Sequence, residues 1–364
     1  MKPRLEKLDV LRACACIGAF TFHSYISNLG FWAVSIFIML SGFLLTYNGL
    51  DRSESFPADA RGCAVYALKK IKPLYPLYFA TLLVLALRIF LLAPETPDME
   101  QVNIFIKQFI LSVFLVQSWP PDTLWSFGFN PVGWYLSTCI ILYFSFPCIL
   151  RRVKRCKHPK SALGAAAAIY LFMLGLAWLA SDIHRRAYGA DVVSMSNFQQ
   201  WFTYVFPLFR IGDFTIGCLA GFVFSVSDSN RISVRWSTAL EAFAIAFFVF
   251  TQTVFVKVGL PTFFSCNLIY IPSSVLLVYT FALGKGHISR FLYNRLTRFV
   301  ADYSVEIFLI HFAVIKYASP FATFLPIPFI FQQVTFVAFT VILTCLSCYI
   351  WRRLGRRFPI LAVK

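Results

Sequence analysis

The chain has 364 residues, of which 59% are hydrophobic and only 13% charged, with a net charge of +17. Ordinary soluble domains carry roughly 25% charged residues, so this composition, with a mean hydropathy of +0.71, excludes a soluble globular protein. It also excludes a disordered chain, a coiled coil and a disulfide scaffold, and leaves one polytopic membrane domain.

The basic residues sit in short clusters between long apolar runs. That pattern suits membrane topology and argues against a nucleic-acid partner. The ten cysteines lack paired metal-ligand spacing and read as small buried hydrophobes. Neither a metal site nor a disulfide framework is expected.

In chain order, the apolar runs are Leu8–Tyr25, Phe31–Tyr47, Leu74–Leu92, Trp134–Leu150, Ala162–Ala180, Leu208–Ser225, Thr238–Val256, Leu268–Leu283, Tyr303–Ala318 and Phe329–Ile350. Most approach the ~20 residues that cross a bilayer as a helix. Lys2, Arg4 and Lys7 before the first run resemble the start of a signal peptide. Arg12 interrupts the run, however, and no small-residue cleavage site follows, so it reads as a retained helix. Ile104–Gln117 is short and holds Lys107; it should lie in the interface or re-enter.

Ten crossings place 26 of the 33 Lys and Arg on the side of both termini. The positive-inside rule makes that side cytoplasmic. The expectation is an all-α bundle of about ten transmembrane helices, forming a single domain over 1–364. Its membrane core covers about 8–350, with no appended soluble domain.

The external segments differ in character. Pro94–Gln101 is acidic, with Glu95, Asp98 and Glu100. Ser118–Pro131 carries Trp119, Trp125, Phe127 and Phe129, and Ser181–Pro207 holds His184, Arg185, Arg186, Asp191, Gln199, Gln200 and Trp201. Such aromatics either stack on sugar rings or form a belt at the lipid headgroups.

Ionisable groups inside spans are costly and draw attention to function. Arg12 and His23 are eleven residues apart, which on a helix returns to within ~20° of the same face after ~16 Å. The second run contains Ser41-Gly42-Phe43, small residues that allow close helix approach. Lys69, Lys70 and Lys72 precede Leu74-Tyr75-Pro76 and suit either a polyphosphate or ordinary topology signalling. Arg210 and Asp213 are spaced to pair on one face, ahead of Phe214, Gly217 and Gly221. Ser304 and His311 are two turns apart on one face, with Glu306 between them.

Together these residues resemble the acyltransferase-3 family of integral membrane O-acyltransferases, over almost the whole chain from Leu8 to about Ile350. The similarity rests on Arg12-x10-His23, Ser41–Phe43, Lys69-Lys70 with Leu74–Pro76, Trp134–Ser137, Arg210 with Phe214 and Gly217, and Ser304-x6-His311. Two positions depart from the family pattern. Lys-Lys-x-x-Pro73 stands where Arg-Arg-x-x-Arg is common, which gives up arginine's bidentate phosphate fork. Thr138 stands where a glutamate is common, so no carboxylate role carries over there.

The resemblance implies transfer of an acyl group, usually acetyl, from cytoplasmic acyl-CoA to an outer-face acceptor. The acceptor class would be a cell-envelope polysaccharide or its lipid-linked precursor, O-acetylated at a hydroxyl. Arg12, Lys69, Lys70 and Lys72 would hold the donor phosphates. His23 would be the general base or nucleophile. Arg210, Ser304 or His311 would steady the thioester oxyanion. The expected setting is the plasma membrane. A transporter or flippase of lipid-linked sugars is the rival reading, with the same polar interior.

Overall fold

In lipid a spanning backbone must satisfy its own hydrogen bonds, which leaves long apolar runs little choice but helix. The computed structural model describes residues 2–92, 98–188, 197–228, 232–255, 257–258, 262–322 and 329–362, and among these it is helical with no strand. The main helices are α1 Leu8–His23, α2 Gly30–Gly49, α3 Ala60–Ile71, α4 Tyr75–Leu91, α5 Met99–Val113 and α6 Gly133–Lys154. They continue with α7 Pro159–Tyr188, α8 Pro207–Val226, α9 Val234–Phe250, α10 Ile271–Leu283, α11 Arg295–Asp302, α12 Ser304–Ala322 and α13 Phe329–Arg357.

Seven helical segments among the described residues are long and apolar enough to cross a membrane, and α3 with α4 adds an eighth as a pair bent by 62°. The all-α polytopic bundle is therefore as the composition required. The other two expected spans, α1 and α12, are helical too. α1 has only 16 residues, and α12 carries Glu306, His311 and Lys316. α1 buries Leu8, Leu11, Ala15, Cys16 and Ala19 against its neighbours, so other helices shield its polar groups from lipid. By contrast, α7 and α13 expose Leu171, Phe172, Trp178, Phe331 and Ile342.

Lys69 and Lys70 occupy the last turn of α3. Pro73, which lacks a backbone donor, and Pro76, at the start of α4, accompany the break between the two helices. α3 packs along α6, with Tyr66 stacked 6.0 Å from Phe146 and Arg151 Nη1 donating to the Pro57 carbonyl at 2.5 Å. The short segment expected at Ile104–Gln117 begins earlier, at Met99, and ends at Val113. It folds back on α4: the hydroxyls of Tyr75 and Tyr78 donate to the carbonyls of Val113 and Ser112, each at 2.8 Å.

The tightest contact joins α2 and α8. A Cβ on Gly217 would lie 2.5 Å from the Met39 carbonyl oxygen, and one on Gly42 would lie 2.3 Å from that of Phe214. The Ser-Gly-Phe stretch and the α8 glycines thus serve one interface, as small residues do between membrane helices. All ten cysteines are free, most of them buried.

The expected acidic segment Pro94–Gln101 and external piece Ser181–Pro207 lie partly outside the described residues, Glu95 and Asp191 included. Of the described external aromatics, Phe129 and Trp201 are buried, and Trp201 Nε1 donates to the Ser118 carbonyl at 2.9 Å.

Candidate active site

α1 carries Arg12 and His23 toward opposite ends of the bundle, and each end opens into a cavity. The histidine cavity, about 520 Å³, is lined by His23, Asn28, Phe31, Phe127, Trp134, Gln200, Tyr204 and Phe308, among others. The arginine cavity, about 480 Å³, is lined by Arg12, Ser41, Asn48, Lys70, Tyr135, Tyr143, Asp302, Ser304 and Phe308, among others. His23 and Arg12 thus serve one cavity each.

At the His23 end the structure brings two histidines together. The rings of His23 and His311 lie 5.2 Å apart. Phe22 and Phe312 each stand 5.2 Å from His23 in edge contact. His311 is 1% exposed, and its Nδ1 lies 2.9 Å from the Ile307 carbonyl. A carbonyl only accepts, so Nδ1 carries the hydrogen and Nε2 of the neutral ring is an acceptor. That Nε2 is buried without a hydrogen-bond partner. The arrangement fits His311 to orient His23 or accept from it, rather than to donate to an oxyanion.

At the other end, Arg12 Nη1 donates to Asp9 at 3.3 Å, and Arg4 Nη2 donates to the same carboxylate at 2.6 Å. The pairing raises the pKa of Arg4 through its hydrogen bond to Asp9. Asp9 is 3% exposed and holds Arg12 at the cavity rim. Of the three lysines, only Lys70 lines this cavity. Lys69 and Lys72 are exposed and line neither cavity. Ser304 lines the arginine cavity and begins α12.

Arg210 stands apart. It is fully buried and paired with Asp213 at 3.1 Å, while Asn267 Nδ2 donates to Asp213 at 3.2 Å and Ser35 donates to Asn267 at 2.9 Å. The i,i+3 pairing expected from sequence is present, but Arg210 lines neither cavity. Its route to the site is indirect: the guanidinium lies 5.7 Å from the ring of Tyr204, which lines the histidine cavity. That geometry suits a positioning residue.

Glu306, which sequence places near His311, turns away to Arg352 of α13 at 2.5 Å. Arg352 also stacks 3.5 Å from the Tyr303 ring centroid and donates to the Asp302 carbonyl. Sequence reasoning missed Phe308, Asn48, Tyr143 and Asp302 as cavity residues. Phe308 was findable, since it lies on the Ser304–His311 face at i+4 from Ser304. Thr138, at the departed family position, is buried and donates to the Val205 carbonyl at 3.0 Å. Among the described residues no three His, Cys, Asp or Glu side chains gather as a metal cluster would.

Comparison with known proteins adds to this geometry. A family model described as an acyltransferase domain matches residues 5–352. The chain is similar to acyltransferase MdmB of Streptomyces mycarofaciens, at 25% identity over 86% of this chain and 80% of that protein. It is also similar to peptidoglycan O-acetyltransferase OatA of Listeria monocytogenes, at 23% identity over 94% of this chain. The chain spans about half of that second protein's length, 54%. No solved structure matches.

Proposed function

The chain belongs to the acyltransferase-3 family, whose model spans residues 5–352, and is a multi-pass membrane acyltransferase; on that premise we propose that it O-acylates a glycan at His23. The donor is cytoplasmic acyl-CoA, acetyl-CoA first. The acceptor is a hydroxyl of a cell-envelope polysaccharide or its lipid-linked precursor. The protein sits in the plasma membrane with both termini inside. The name of the Listeria relative supports acetyl as the group and a glycan as the acceptor class.

One observation carries the reading. A cavity lined by His23, which packs against the buried His311, lies back to back with a cavity rimmed by Arg12 and Lys70, and the two share Phe308. Arg12 and Lys70 supply cationic donors for the phosphates of the acyl-CoA. His23 takes the proton of the acceptor hydroxyl, whose oxygen then attacks the thioester carbonyl. As the C–S bond breaks, the protonated His23 returns that proton to the departing thiolate. Of the hydroxyls on the donor side, Ser304 shares its helix with His311 and is the one assigned to steady the oxyanion. His311, anchored through Nδ1, keeps the orientation of His23.

The test is consumption of radiolabelled acetyl-CoA by purified protein in proteoliposomes supplied with envelope glycan. The expected result is label in the glycan and stoichiometric free CoA. His23→Gln keeps hydrogen bonding but loses the base, and should cost about 10²–10⁴-fold in turnover. Glycan movement across the membrane with intact acetyl-CoA would favour the flippase reading instead. Retention of more than about a tenth of wild-type turnover in His23→Gln would remove base chemistry from this residue.

A further inference from the structure

The two cavities meet at a single side chain. Among the described residues Phe308 alone lines both. It does not act alone. Its ring lies 5.3 Å from Tyr135 of α6 and 5.9 Å from Phe37 of α2, in both cases edge-on. Phe37 and Tyr135 are 6.4 Å apart and close the triangle. Three helices thus each contribute one ring to a layer across the polar path.

The layer's register supports a role in the reaction. On α12 the residues Ser304, Phe308 and His311 follow at i, i+4 and i+7, one face of a helix. Ser304 opens on the arginine cavity. His311 packs against His23. Phe308 stands between them, its ring 6.1 Å from that of His311. On α6 the partition repeats, since Trp134 lines the histidine cavity and the next residue, Tyr135, lines the arginine cavity. The aromatic layer is therefore the floor of one chamber and the roof of the other.

We propose that Phe308, with Phe37 and Tyr135, is a specificity-determining septum: it closes on the donor thioester where the two cavities meet, keeps bulk water from passing to it and so directs the acyl group to the acceptor hydroxyl held at His23. The inference rests on the acyltransferase reading above. Its chemistry follows from the competing nucleophiles. Water and a sugar hydroxyl attack the same thioester carbonyl. With water the new bond joins its oxygen to the acyl carbon, the C–S bond breaks, a water proton passes to the thiolate sulfur, and free acid leaves with CoA. Acceptor binding brings a hydroxyl to His23 while the rings exclude bulk water, one of the recognised uses of a closed site. Removing one ring joins two wet chambers that begin at opposite ends of α1.

Two readouts test the septum, and one of them needs no acyl-CoA. Phe308→Ala protein is reconstituted into vesicles holding a pH-sensitive dye, and proton leak is measured against wild type. The same vesicles then receive labelled acetyl-CoA without acceptor, and free acetate is counted. The expected result is a leak absent from wild type, together with acceptor-independent hydrolysis raised at least about tenfold. Phe308→Tyr, which keeps the ring, should stay sealed and should not hydrolyse. Where Phe308→Ala fails to fold, Phe37→Ala opens the same layer from α2 and carries the test.

A folded Phe308→Ala or Phe37→Ala variant that stays sealed, or that leaks without hydrolysing acetyl-CoA, overturns the inference. Wild-type protein that consumes no acetyl-CoA with glycan present overturns the function proposed above instead. The leak measurement keeps the two failures apart.

Discussion

Arg352 and Glu306 fix α12 against α13, and the burial of the two partners is unequal. Glu306 has 2% of its side chain exposed and Arg352 has 33%. Replacing Arg352 with Met leaves a buried carboxylate without its cation, a loss worth about 3–5 kcal/mol. It also removes the stack on Tyr303 at 3.5 Å. Replacing Glu306 with Gln leaves the guanidinium a route to water and an amide oxygen to donate to, so about 1–3 kcal/mol is lost.

Arg352→Met should therefore be the worse single change by about 2 kcal/mol, roughly 30-fold in the unfolding equilibrium. The double variant carries no buried unpaired charge and should be more stable than Arg352→Met alone. Unfolding in mixed detergent–SDS micelles, followed by tryptophan fluorescence, reads all three. The consequence for function is geometric: Glu306 lies between Ser304 and His311, so loosening α12 should lower turnover in the same rank order. Should Glu306→Gln prove as damaging as Arg352→Met, or the double variant prove the least stable, the pair is not the burial-limited lock described.

Lys70→Ala should raise the KM for acyl-CoA about fivefold, the weight of one partly exposed charge contact of about 1 kcal/mol. Lys69→Ala, which lines neither cavity, should leave that KM near wild type, and equal effects in a titration of initial rates would remove the distinction. Gly217→Ala places a Cβ 2.5 Å from the Met39 carbonyl and should cost about 1–3 kcal/mol by overpacking. Gly164→Ala meets nothing within 4 Å and serves as the neutral control in the same melt. On a cysteine-free background, a thiol at Lys157 should resist impermeant label applied to intact cells, while one at the exposed Arg186 should react. The reverse pattern would invert the proposed topology.

Composition and periodicity alone determined that this chain is an all-helical membrane protein, because lipid offers a backbone no partner outside its own helix. The pairing of Arg12 with His23 on one face was equally legible, since helical geometry is local. So was the α2 glycine contact, as far as its chemistry: small residues announce close packing but not the partner. Tertiary structure decided that the partner is α8, through Gly217 and Gly221.

It also decided what each polar residue faces. Glu306 and His311 are five residues apart and belong to one helix, yet one turns to α13 and the other to α1. Arg210 reads as a site residue from the family resemblance, but it is held in the packed interior by Asp213, which Asn267 holds in turn. Three adjacent lysines look equivalent in sequence, and only the end of α3 against α6 puts Lys70 alone at the cavity. Phe308 is one of 42 phenylalanines. Only the meeting of α2, α6 and α12 sets it apart, because a ring becomes a barrier when two other helices bring rings to the same depth.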